Sequence, residues 1–125
     1  INQIIDMQRK KTGKLFNFCL QSTAIVGNKS TIEKKKFGKL GEEIGLLFQL
    51  SDDFLDVSGS KKLVGKLIKK DKKKGKSTII NYMGYEKSLR FSEKLKKKIL
   101  LNLKKHGKNA KDLIDTIEFI QNRNF

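Results

Sequence analysis

No proline occurs anywhere in these 125 residues, which removes the strongest local barrier to continuous helix. Apolar residues recur at three- and four-residue intervals. No run alternates with the two-residue period of a half-buried strand, so the chain reads as all-α. A first helix is expected from Asn2 to about Val26, stopped by the pair Gly27–Asn28. Thr31 is expected to cap a second, with Leu40, Ile44, Leu47 and Phe48 along one stripe and an end near Asp56. Lysine and glycine crowd the stretch from Gly59 to Gly75, which reads as a long, partly ordered loop. Beyond it, Ser77 or Thr78 starts a short helix through Tyr82. Leu89, Leu95, Ile99 and Leu103 mark an amphipathic helix ended by Gly107, and Leu113, Ile114, Ile117 and Ile120 mark a last one from about Asn109. The length suits one compact domain and is too short for two.

Charge narrows the partners less than it first suggests. Lysine and arginine total 29 against 13 acidic residues, a net charge of +16. Such an excess favours a polyanion: nucleic acid, an acidic membrane surface or a phosphorylated small molecule. Nearly all of it is lysine, however, with Arg9, Arg90 and Arg123 the arginines. Readers of bases lean on the planar arginine fork, and a lysine, isoleucine and asparagine skew also follows from an AT-rich coding sequence. A small basic helical nucleic-acid binder therefore stays open as the alternative. Cys19 and His106 are the single cysteine and histidine. They rule out an internal disulfide and the usual zinc ligand sets, and they fit a reducing, cytoplasmic setting. Cys19, among apolar residues, reads as packing. A metal here must be held by oxygen, hence magnesium or calcium. No apolar run approaches the ~20 residues of a transmembrane helix. The sequence opens on Ile1, which we read as a cut edge.

Three motifs carry possible chemistry. The first is Gln49-Leu50-Ser51-Asp52-Asp53-Phe54-Leu55-Asp56. On a helix, Asp52, Asp53 and Asp56 share one face with Gln49, at spacings of three and four. Aspartates at a helix C-terminal end repel one another and the helix dipole. Either the cluster is a solvated acidic end or a divalent cation relieves the conflict, magnesium best of all. The second is Lys10-Lys11-Thr12-Gly13-Lys14, inside the first helix. Gly13 costs about 1 kcal/mol there against alanine, which asks for a close approach by a ligand or another helix. The bland reading is a lysine cluster in water. The third runs from Gly65-Lys66 through Asp71 to Gly75-Lys76-Ser77-Thr78. It is no P-loop, since the required first glycine falls on Lys70 and no strand precedes it. It suits either closure over an anion or a wet lysine-rich loop.

In this order the three motifs resemble the polyprenyl synthetase family, the farnesyl and geranylgeranyl diphosphate synthases. Gly38, Gly45 and the ending Ile120-Gln121-Asn122-Arg123 strengthen the likeness, which covers essentially the whole chain. The resemblance implies the all-α isoprenoid synthase helical bundle, with residues 1–125 as its C-terminal helices and the N-terminal half absent. It implies a magnesium-dependent trans-prenyltransferase that condenses an allylic diphosphate with isopentenyl diphosphate. Asp52, Asp53 and Asp56 would hold magnesium; Lys11, Lys66 and Lys76 would hold the substrate diphosphate. Lys11, Thr12 and Gln49 would be the catalytic set, Thr12 and Gln49 lying beside the allylic cation. Family members carry a first aspartate-rich motif, and most of the isopentenyl diphosphate site, upstream of such a segment. The chain alone is therefore expected to be inactive and prone to self-association. Full-length relatives usually form homodimers; neither a specific nucleic acid nor a transmembrane segment is implied.

Overall fold

The computed structural model describes residues 1–63 and 78–122. Among the described residues there are helices and no strands. The first rod is α1 (Asn2–Gln8), a π-helical turn over Arg9–Gly13, and α2 (Lys14–Val26). It stops at Gly27 as expected, and Asn28 adopts φ +49° to turn the chain. The long helix α3 (Thr31–Leu63) has 33 residues, about 50 Å at the α-helical rise. Its cap is Ser30, not Thr31. The Ser30 hydroxyl accepts from the Glu33 backbone N–H at 3.3 Å while Glu33 Oε2 accepts from the Ser30 N–H at 3.1 Å. The reciprocal pair is a capping box, which the sequence Ser30-Thr31-Ile32-Glu33 spells out.

An end for α3 near Asp56 is overturned, because the helix runs on through Ser58 and Gly59 to Leu63. One glycine costs a helix about 1 kcal/mol, which a long cooperative helix absorbs. The aspartates therefore lie about two turns inside the helix, beyond reach of a terminal dipole that fades within the last turn. The expected loop accordingly loses its first residues to α3, and residues 64–77, with Lys66 and Lys76, lie outside the described residues.

Thr78 then caps α4 (Ile79–Met83), its hydroxyl accepting from Asn81 N–H at 3.1 Å. Helix α5 (Tyr85–Lys104) and helix α6 (Lys111–Asn122) follow, joined by a 3₁₀ turn over Gly107–Ala110. Gly107 takes φ +58°, the left-handed conformation that ends helices. Leu95, Ile99 and Leu103 of α5 and Ile117 of α6 are buried against Leu40, Ile44, Leu47, Leu50 and Phe54 of α3. Leu40, Ile44 and Leu47 follow the stripe expected from the helical period, whereas Phe48 is half-buried and meets Phe16 of α2 instead. Ser51 adds a polar tie, its hydroxyl donating to the Ile120 carbonyl at 2.5 Å. Buried Glu43 is met by Lys98 at 2.7 Å, which satisfies its charge.

The opposite flank of α3 is lined by glycine, with Glu42 bonded to Lys14 and Asn17 of α2 beside it. Gly38, Gly41 and Gly45, all buried, lie on one face of α3 against α2 and the π turn. A Cβ on Gly41 would stand 2.3 Å from the Phe16 carbonyl oxygen, and one on Gly45 would stand 2.7 Å from the Gly13 Cα. No side chain fits at such distances, so the glycines set how closely the rods cross. Gly13 itself has its reason here, approach by another helix. On the far side of α2, Leu15, Phe18, Ile25 and Val26 are exposed, Val26 by 87 %. Cys19 shares that outward face and is exposed, which corrects the expectation that it packs.

Candidate active site

The crossing brings the first two motifs to one cleft, of about 730 Å³. Lys11 and Thr12 line it from the π turn, and Gln49, Asp52, Asp53 and Asp56 from α3. The π turn matters locally, since such turns widen a helix at one point and occur often at functional sites. A chain of hydrogen bonds joins the walls. The Thr12 hydroxyl donates to Gln49 Oε1 at 3.1 Å, across 37 residues of sequence, and Gln49 Nε2 donates to Asp53 Oδ1 at 3.1 Å. Gln49 is thus fixed at both ends of its amide, and its partners set which end is which. Phe48 lines the cleft as well and meets the Phe16 ring, centroids 5.7 Å apart, at its apolar side.

The three carboxylates differ in setting. Asp53 is buried, Asp52 half-buried and Asp56 exposed. Burial pushes the Asp53 carboxyl above its ordinary pKa; the Gln49 hydrogen bond opposes this, the charge of Asp56 adds to it, Lys11 opposes and Asp52 adds. Its second oxygen, Oδ2, is buried without a hydrogen-bond partner. A buried carboxylate oxygen left bare, beside two more carboxylates, is a misfit that a cation relieves. Among the described residues no three acidic, histidine or cysteine side chains gather closely enough to hold a metal by themselves. Magnesium asks for less, taking one or two carboxylates, several waters and the ligand's phosphate. The aspartate side of the cleft fits that pattern, with Lys11 on the facing wall to meet an anion.

Of the residues singled out from sequence, Lys11, Thr12, Gln49, Asp52, Asp53 and Asp56 come together; Lys66 and Lys76 lie outside the described residues. Gln8 also lines the cleft and escaped the sequence reading, while Thr78, which lines it too, is the last residue of the third motif. The signal for Gln8 was present, since it stands three residues before Lys11 and four before Thr12 on one helical face. Thr78, expected as a possible helix start, is the cap of α4 at the cleft's edge. His106, at the end of α5, packs on Phe37 with ring centroids 5.7 Å apart and takes no part.

The same all-α fold is that of a crystal structure of a geranyltransferase from Helicobacter pylori, which superposes with a TM-score of 0.70 at 22% identity, over 98% of this chain and 38% of that one. The fold is the isoprenoid synthase helical bundle. The family model for polyprenyl synthetase matches residues 1–120, and the chain belongs to that family. It is 39% identical over 115 residues to geranylgeranyl pyrophosphate synthase 4 of Arabidopsis thaliana, covering 91% of this chain and 31% of that protein. It is 33% identical over 88 residues to the farnesyl diphosphate synthase of Micrococcus luteus, covering 70% and 30%. A short chain isoprenyl diphosphate synthase of Methanocaldococcus jannaschii is 35% identical over 112 residues, covering 90% and 33%. The chain thus spans about a third of the length of these relatives. Nothing in these matches favours the nucleic-acid reading. Among the described residues no helix is long and apolar enough to cross a membrane.

Proposed function

We propose that this chain carries the magnesium and diphosphate side of a trans-prenyltransferase active site. The reaction would condense an allylic diphosphate with isopentenyl diphosphate: the allylic carbon–oxygen bond breaks, the isopentenyl double bond attacks that carbon, and a proton leaves. The observation that carries the reading is the facing of Lys11 and the Asp52, Asp53 and Asp56 carboxylates across one cleft, with the Asp53 oxygen bare. Magnesium, held by the aspartates, would supply charge neutralisation for the departing pyrophosphate. Lys11 would hold the same anion from the opposite wall. The Thr12 hydroxyl and Gln49 amide, fixed by their mutual hydrogen bond, would offer oxygen dipoles to the cationic carbon, and Phe16 with Phe48 would keep water from it.

The resemblance adds Lys66 and Lys76 as further diphosphate ligands. It also leaves the first aspartate-rich motif and most of the isopentenyl diphosphate site to residues other than 1–125, in a protein that works as a homodimer. A cytoplasmic setting suits the single exposed thiol, Cys19.

Calorimetric titration of the chain with inorganic pyrophosphate tests the site. Binding is expected with magnesium and not without it, and is expected to weaken at least tenfold in Asp52→Ala and Asp53→Ala. Parent-like affinity in both variants would sink the metal assignment.

A further inference from the structure

Gln8 lines the cleft at the end of α1 and is only 3 % exposed. Its amide oxygen, Oε1, is buried without a hydrogen-bond partner. A bare buried acceptor destabilises the fold, whereas an apolar side chain of the same length would not. Gln8 therefore contributes to something other than stability.

The surrounding chemistry limits what that is. Lys11 and Thr12 follow at three and four residues, so Gln8 continues their face along the cleft wall. Gln49, on the other wall, has its oxygen engaged by Thr12 and its nitrogen by Asp53. A pyrophosphate offers only acceptor oxygens and gains nothing from another acceptor. A prenyl chain has no N–H or O–H to donate. Among the groups a prenyl diphosphate brings to this cleft, the one that complements a bare amide oxygen is positive charge on carbon.

We propose that Gln8 is a ligand-facing residue on the cationic side of the site, its amide oxygen directed at the charge that develops on the allylic carbon. It adds a third oxygen dipole to those of Thr12 and Gln49, held in place before the charge develops. The proposal rests on the prenyltransferase reading above.

The test uses the whole chain with magnesium and two probes, inorganic pyrophosphate and a prenyl trialkylammonium ion added with pyrophosphate present. Gln8→Met keeps the length and flexibility of the side chain and removes its polar end. Pyrophosphate affinity is expected to stay at the parent's value, while ammonium affinity falls about tenfold, as for other polar contacts to a charge. The melting temperature is expected to rise. Gln8→Glu, with a carboxylate at the same place, is expected to bind the ammonium ion at least as tightly as the parent. Unchanged ammonium affinity in Gln8→Met would overturn the proposal. So would an equal loss for both probes, which would mean that Gln8 acts by positioning Lys11. A parent chain that fails to bind pyrophosphate with magnesium takes down the underlying reading, and this one with it.

Discussion

Helix α3 is held by opposite means on its two sides. Toward α5 and α6 it presents Leu40, Ile44, Leu47, Leu50 and Phe54, and the contact is made by interlocking apolar side chains. Toward α2 and the π turn it presents Gly38, Gly41 and Gly45; Gly41 and Gly45 meet backbone directly, and Gly38 meets the Asn17 side chain. Side chains can re-choose rotamers when a neighbour changes, but two backbones at closest approach cannot. The first side therefore supplies burial that tolerates variation, and the second supplies position. Thr12 and Gln49 meet on the second side, where the separation of the helices decides whether their 3.1 Å hydrogen bond exists.

The largest test of this contrast is Gly41→Ala. The added carbon would lie 2.3 Å from the Phe16 carbonyl oxygen and 2.8 Å from the Asn17 Cα, both backbone atoms. Overpacking of this kind costs about 3 kcal/mol or more, so denaturant unfolding should show a large drop in midpoint, with pyrophosphate binding lost alongside. A wild-type midpoint would break the comparison.

On the other side, Ile99→Val removes one methylene from a fully buried residue and should cost only about 1 kcal/mol. Pyrophosphate affinity should stay unchanged in that variant. Loss of binding there would show that position is set from both sides.

The smallest effect, and one of opposite sign, is expected from Asp53→Asn. Because burial raises the Asp53 pKa above its ordinary 3.8, the folded state binds protons more readily than the unfolded one. The parent therefore loses stability as pH rises from about 4 through the folded-state pKa. Without divalent cation, the asparagine variant should melt above the parent at neutral pH, and the gap should close as pH falls below about 4. Magnesium with pyrophosphate should reverse the order by stabilising the parent alone. A variant that melts lower at neutral pH without metal would mean that the buried carboxylate is already satisfied.

Much of this was readable from the chain, and the failures share a cause. Helix α5 and helix α6 announced themselves because Leu95, Ile99, Leu103 and Ile117 need only a periodic pattern to find the core. The aspartates and Gln49 were found because spacing on one helix suffices to gather them. The end of α3 was misread at Ser58 and Gly59, where local breakers predict a stop and the length of the helix overrules them. Cys19 was misread because its apolar neighbours Phe18 and Leu15 turn outward, away from α3. The hydrogen bond from Thr12 to Gln49 spans 37 residues and depends on three glycines elsewhere, and no local rule contains it.

The π turn at Arg9–Gly13 has one more consequence. Successive residues of an α-helix are set about 100° apart around its axis, so an extra residue in one turn shifts the phase of everything before it. The helices α1 and α2 follow one another without a break but are read in different frames. Deleting a single residue within the turn would restore one frame and swing Gln8 off the cleft wall, and it would also disturb the contact of Gly13 with Gly45. The same turn thus fixes both what lines the cleft and how the first rod sits on α3.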